Sequence, residues 1–238
     1  MGITAIKVFH RVRVALISSG DELVPPEDEP KPGQIRDTNA YTLSSLTLKA
    51  GGIPLRLGIV PDEYQAMRQA AEIGIREADA VVISAGSSVS SRDITAQVIN
   101  SLGKPGVLVH GISLKPGKPT ILALADQKPV FGLPGNPASA MITFDLFVTP
   151  SIHKLGGCSQ PPKRYELKAR LTRNIPSAPG REDYVPVKVA ERNGEPWAEP
   201  IFGKSNLIST LIKADGIAQV PLDKAGLAAG EMATVRMF

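Results

Sequence analysis

Over the first 155 residues, short continuous apolar runs alternate with segments in which apolar side chains recur every three to four positions. Continuous runs suit strands buried on both faces, and the helical recurrence suits helices packed across them. This alternation confines the chain to an α/β fold, a mostly parallel sheet with helices on both faces. Residues 12–17, 55–60 and 80–84 read as strands, and 107–110, 120–124 and 129–131 as shorter ones. Thr38 or Asn39 can cap a helix that carries Leu43, Leu46 and Ala50 and ends at Gly51 and Gly52. Pro61 and Asp62 open a second helix, with Asp62 and Gln65 at capping-box spacing. A third helix is predicted over residues 94–102, and Asn136 followed by Pro137 starts a long one reaching Leu155.

The pattern changes after Gly156. Residues 156–162, Gly-Gly-Cys-Ser-Gln-Pro-Pro, read as a linker. Beyond it, residues 165–172, 184–189 and 230–237 have strand character, and 206–212 could form a helical turn. Two domains are therefore expected: residues 1–156 as the α/β unit and 163–238 as a small all-β, barrel-like unit.

Composition removes several function classes. No apolar run approaches the roughly 20 residues of a membrane span, and residues 1–10 lack a secretory layout, so a cytoplasmic protein with no membrane partner is expected. The single cysteine, Cys158, rules out an intrachain disulfide and reads as incidental rather than nucleophilic. His10, His110 and His153 show no metal-ligand spacing, which argues against zinc. A net charge of +4 favours anionic ligands in general. With lysine and arginine spread along the chain and 5% aromatic residues, nucleic acid is not indicated.

Special residues gather where the expected strands end, which is where ligands bind in open α/β sheets. The first cluster is Ser18-Ser19-Gly20-Asp21-Glu22. The second, Gly86-Ser87-Ser88-Val89-Ser90-Ser91, lies between a strand and a helix and could cradle an anion with backbone N–H groups, or be a plain turn. It has neither the lysine of a P-loop nor the glycine spacing of a dinucleotide fingerprint. The third, Lys115-Pro116-Gly117-Lys118-Pro119, holds two ammonium groups on a proline-stiffened segment; an exposed basic turn would look the same. The fourth, Gly132-Leu133-Pro134-Gly135-Asn136-Pro137, brings a helix N-terminus toward a ligand, or only starts that helix. Asp21, Glu22, Asp37, Asp62 and Asp93 lie at strand ends or helix starts, where carboxylates beside a phosphate suggest Mg²⁺. Helix capping is the competing role for Asp62, and in part for Asp37.

These elements in this order, together with the Gly-Gln-Ile-x-Asp-Thr-Asn stretch at 33–39, resemble the MoeA/gephyrin E-domain family of molybdopterin molybdenumtransferases. The resemblance spans about residues 12–155, and the β tail fits the family's C-terminal domain. It implies a MogA/MoaB-like α/β domain. It also implies a Mg²⁺-dependent reaction in which adenylylated molybdopterin and molybdate react, AMP leaves and molybdenum stays on the pterin dithiolate. By the resemblance, Asp21 and Glu22 stand at the acidic active-site motif, and Asp62 and Asp93 match further acids. Lys115 and Lys118 would bind molybdate or phosphate. Gly20, Gly86, Ser87, Ser88, Ser90, Pro134, Gly135, Asn136, Pro137 and Ser205 would line the pterin site. Asp93 and Glu22 would hold the metal. A homodimer and a MogA-type adenylyltransferase partner are implied as well.

The resemblance also raises an alternative. Relatives carry two further domains ahead of the α/β domain, and no residues of this sequence match them. A non-catalytic molybdopterin-binding or scaffolding module is therefore the competing expectation. An adenylyltransferase of the MogA type is disfavoured by the β tail.

Overall fold

A computed structural model describes residues 2–86, 89–160, 162 and 164–238. The first half contains β1 (Arg13–Ser19), β2 (Leu23–Val24), β3 (Ile35–Arg36), α1 (Asn39–Lys49), β4 (Ile53–Val60), α2 (Tyr64–Glu77), β5 (Ala80–Ala85) and α3 (Val89–Ser101). Next come β6 (Pro105–His110), β7 (Leu114–Lys115), β8 (Ile121–Ala125), β9 (Lys128–Pro134), α4 (Pro137–Thr143) and α5 (Thr149–Leu155).

The main sheet has the order β4-β1-β5-β9-β8-β6. Its strands β4, β1, β5 and β9 are parallel neighbours, whereas β8 and β6 pair antiparallel. The reversal arises at Asp126 and Gln127, both at positive φ (47° and 71°), a two-residue turn that matches strand twist. Every residue of central β5 is buried, as a strand covered on both faces requires. Successive β1 residues feed opposite cores. Ala15 and Ile17 join Met67, Ala71 and Val98 beneath α2 and α3, whereas Val14 and Leu16 join Leu43, Phe144 and Ile152 beneath α1, α4 and α5. Gly74 lets α2 lie close on the sheet: a Cβ there would stand 3.1 Å from the Ala15 Cβ.

Two capping expectations are corrected. Thr38 holds the cap position of α1 without a side-chain bond, and Asp37 Oδ1 instead accepts the Ala40 N–H at 3.1 Å. The Asp62–Gln65 capping box does not form. Helix α2 begins at Tyr64 after Glu63, and the Asp62 carboxylate is engaged by Ser19. The long helix expected from Asn136 to Leu155 is present as α4, a wide π turn at Phe144–Val148, and α5. Pro150, which has no N–H to donate, sits in the first turn of α5, and the wide turn absorbs the misfit just ahead of it.

The tail contains β10 (Glu166–Leu171), β11 (Ile175–Pro176), β12 (Glu182–Arg192), β13 (Glu195–Pro200), α6 (Ser209–Ile212), β14 (Gly216–Val220), β15 (Gly226–Leu227) and β16 (Met232–Met237). Its sheet runs β13-β10-β16-β14-β12, and a further β12–β13 pairing closes these five strands into a barrel. Ala169, Leu171, Val187, Ala218 and Val235 fill it. Strand β7, which comes from the α/β region, extends the barrel sheet beside β12. Among the described residues, no helix is long and apolar enough to cross a membrane.

Ile83 is fully buried where β5 meets α2 and α3. Ile83→Ala should lower the unfolding free energy by about 2–5 kcal/mol, read as a lower urea midpoint with an unchanged slope.

Candidate functional site

Parallel strands in register end at one level. Ser19 at the end of β1 pairs with Val60 of β4 and Ala85 of β5, and Ala85 pairs with Pro134 of β9. The turns that follow therefore emerge along a single carboxyl edge. Gly20 is tied to β4 by its N–H on the Val60 carbonyl at 3.2 Å. Ser19 Oγ donates to Asp62 Oδ1 at 2.5 Å, and the Asp62 N–H donates to Asp21 Oδ1 at 3.1 Å. Asp21 and Asp62 are thus brought together, each with one oxygen already engaged. The Glu22 carboxylate folds back over Gly20, where a Cβ would come within 2.7 Å of its Oε2. Asp93 is exposed on α3, and Ser90 lies in that helix's first turn. Ser87 and Ser88 lie outside the described residues.

The turn after β9 is pressed against the turn after β5. A Cβ on Gly135 would stand 2.7 Å from the Ala85 carbonyl oxygen and 3.1 Å from the Gly86 Cα, so glycine alone fits without displacing backbone. Buried Asn39 donates to the Gly135 carbonyl at 2.9 Å, which fixes the turn from the α1 side. Asn136 precedes α4 but does not cap it with its side chain; its Nδ2 donates instead to Ser205 Oγ at 3.0 Å. The Ala138 N–H donates to the Ser205 carbonyl at 3.1 Å. Two contacts therefore bring Ser205, from the tail, to the α4 start.

Between the sheet edge and the tail lies a cleft of about 1260 Å³, lined among others by Lys115, Lys118, Pro134, Asn136, Arg181 and Ser205. That exceeds the roughly 300–1,000 Å³ usual for small ligands. The lysine segment is pinned at its C-terminal end: the Ile112 N–H donates to the Lys118 carbonyl at 2.9 Å, and the Gly111 N–H to the Thr120 carbonyl at 2.9 Å. Pro119 and Pro134 also line a smaller recess with Gly86 and Thr95. The acids at β1 and β4 do not line the cleft. They stand two strands (β1) and three strands (β4) beyond Pro134, about 10–14 Å away at ordinary strand spacing.

Four residues absent from the expected site set belong to this geometry. Arg181 lines the cleft, and buried Asp183 accepts its Nε–H at 2.9 Å while standing 3.6 Å from Lys115 Nζ. Their Arg-x-Asp spacing places both side chains on one face of a strand, but in sequence it resembles any surface ion pair. Asn39 was in view as part of the 33–39 stretch, yet nothing local distinguished it from a helix cap. Tyr184, also at the cleft, donates its hydroxyl to Glu182 Oε2 at 2.8 Å. Burial and then the Glu182 bond push its phenol up to about 12, so it stays neutral in the working range. Among the described residues, no group of three or more His, Cys, Asp or Glu side chains could by itself hold a metal ion.

Residues 15–154 match the model for a probable molybdopterin binding domain, and residues 168–238 match that for the MoeA C-terminal region, domain IV. The molybdopterin molybdenumtransferase of Nostoc sp. is 38% identical over 183 residues, 76% of this chain and 42% of the relative. That of Haemophilus influenzae is 32% identical over 240 residues, 100% of this chain and 59% of the relative. A solved molybdopterin biosynthesis MoeA protein from Pyrococcus horikoshii superposes with a TM-score of 0.82 at 37% identity, over 95% of this chain and 54% of that one. The chain thus spans about half the length of the curated relatives it matches.

The raised phenol of Tyr184 has a consequence for stability. Its folded value, about 12, lies above the roughly 10 of an unfolded tyrosine. The stabilisation is complete below pH 10 and is lost as pH rises toward 12, by about 2–3 kcal/mol in all. Urea unfolding of the wild type should weaken over that window relative to Tyr184→Phe, which has no phenol to ionise.

Proposed function

Because the chain belongs to the MoeA family of molybdopterin molybdenumtransferases, we propose that it acts in molybdenum cofactor biosynthesis, inserting molybdate into adenylylated molybdopterin with release of AMP. The observation that carries this reading is the convergence of Lys115, Lys118 and Arg181 on one large cleft whose wall is the Pro134–Asn136 turn. Cations on constrained backbone favour an oxyanion or phosphate, and the cleft volume accommodates a pterin nucleotide. In this reading residues 1–156 carry the pterin site and residues 163–238 close it. The protein works as a cytoplasmic homodimer supplied by a MogA-type adenylyltransferase.

The residue roles in this reading are as follows. Lys115 and Lys118 hold molybdate or phosphate. Gly20, Gly86, Ser87, Ser88 and Ser90 are assigned to pterin binding by the family resemblance, and Pro134, Gly135, Asn136, Pro137 and Ser205 to the opposite wall. Asp21 and Asp62 lie side by side, and carboxylate oxygens are the donor class that magnesium takes. An ion there would complete its shell with phosphate oxygens and water. Glu22 and Asp93 are assigned as its protein ligands, with Asp21 and Asp62 supporting them. The ion would neutralise charge on the phosphoanhydride as AMP leaves. Molybdenum passes to the pterin's own dithiolate, so no protein nucleophile is needed.

Incubation with adenylylated molybdopterin, Mg²⁺ and molybdate should release AMP, and Asp93→Ala should reduce the rate by about 100-fold or more, the scale of losing one transition-state charge contact. Lys118→Ala should weaken substrate binding at unchanged stability, because Lys118 makes no ion pair among the described residues. Tight pterin binding with no AMP release would favour a binding module instead.

A further inference from the structure

Asp183 is 2% exposed at the start of the barrel, yet it carries a full carboxylate. A buried carboxylate is tolerated only when paired. Here it is shared. Oδ1 accepts the Arg181 Nε–H at 2.9 Å, and Oδ2 stands 3.5 Å from Arg181 Nη2 and 3.6 Å from Lys115 Nζ. The backbone enforces this arrangement. Asp183 pairs in register with Lys115 where β12 meets β7, and the Glu182 N–H donates to the Ser113 carbonyl at 3.0 Å. Acid and lysine therefore stand abreast on neighbouring strands, one from each half of the chain. The two cationic side chains remain partly open, at 38% for Arg181 and 57% for Lys115, and both residues line the cleft.

The geometry points to Asp183 as a positioning residue that holds Lys115 and Arg181 at fixed spacing and so prepares the cleft for an oxyanion. This rests on the reading of the cleft as an anion site. Lys115 is a flexible stem that would otherwise lose rotamer freedom only when the ligand arrives. Anchoring both cations beforehand removes that ordering cost from binding. The opposite role, a counter-charge that merely offsets the two cations, gives opposite expectations. Two cations and one acid leave one positive charge, so neutralising the acid would then strengthen anion binding.

The two roles separate in calorimetric titrations of the full chain with sodium molybdate and, separately, with inorganic phosphate. Positioning predicts about tenfold weaker binding of both anions in Asp183→Asn, with an unchanged circular dichroism spectrum. It also predicts at least threefold weaker binding in Asp183→Glu, which keeps the charge but moves the carboxylate by one methylene. Unchanged or tighter binding in folded Asp183→Asn would overturn the proposal. Should that variant not fold, Asp183→Glu decides alone, and wild-type affinity there is the overturning result. An independent readout is the Arg181 Nε–H resonance, expected to be protected from solvent exchange in the wild type. If the wild type bound neither anion, the reading of the cleft would fail, whereas an unprotected Arg181 Nε–H would sink the positioning role itself.

Discussion

Ser19, Ala85 and Pro134 end three adjacent parallel strands at one level, and the geometry of the candidate site descends from that register. Parallel pairing lets consecutive strands deliver their turns to the same edge, which antiparallel pairing cannot do. The register in turn depends on two separate cores. A slip of one residue in β1 would exchange Ala15 and Ile17 with Val14 and Leu16, sending each set into the wrong face. Packing beneath the helices thus fixes where Gly20, Gly86 and Gly135 emerge, though none of the three belongs to a core.

The second constraint is the strand that changes sheets. Leu114 and Lys115 leave the α/β region and pair with Glu182 and Asp183 in the barrel sheet. Leu114 is buried beside Ala138, Ile142 and Tyr184 in a small core shared by both halves. Asp145 in the π turn adds polar contacts there with Arg164 and Arg236. The halves are therefore joined by backbone pairing, apolar burial and ion pairs at once. Lys115, encoded in the first half, takes its position from the second.

How much the sequence disclosed follows from how local each signal was. The buried runs of β1 and β5 were legible because continuous apolar stretches admit few alternatives. The parallel core and the helices on both faces followed from their alternation. Strand β13, Glu-Pro-Trp-Ala-Glu-Pro, was not legible, because prolines at two of its six positions argue against a paired strand. The turn at Asp126 and Gln127 was missed because glutamine at positive φ carries no hairpin signal. Asp62 was read partly as a cap because its spacing to Gln65 is local, whereas its partners Ser19 and Asp21 lie 43 and 41 residues away. Asp183 was invisible for the same reason: its role depends on Lys115, brought beside it only by the β7–β12 pairing.

Charge is distributed unevenly along the carboxyl edge. Asp21 and Asp62 stand at the β1 and β4 end, whereas Lys115, Lys118 and Arg181 stand beyond Pro134 toward the barrel. The Gly135 turn, packed on the Ala85 carbonyl and held by Asn39, separates the two groups. A polyanion lying along this edge could present phosphate oxygens to a cation held at the acidic end and an oxyanion to the lysines at the other. The acids thus stand two to three strands from the cleft, and the barrel adds Arg181, held by Asp183, to a cationic end that Lys115 and Lys118 already mark.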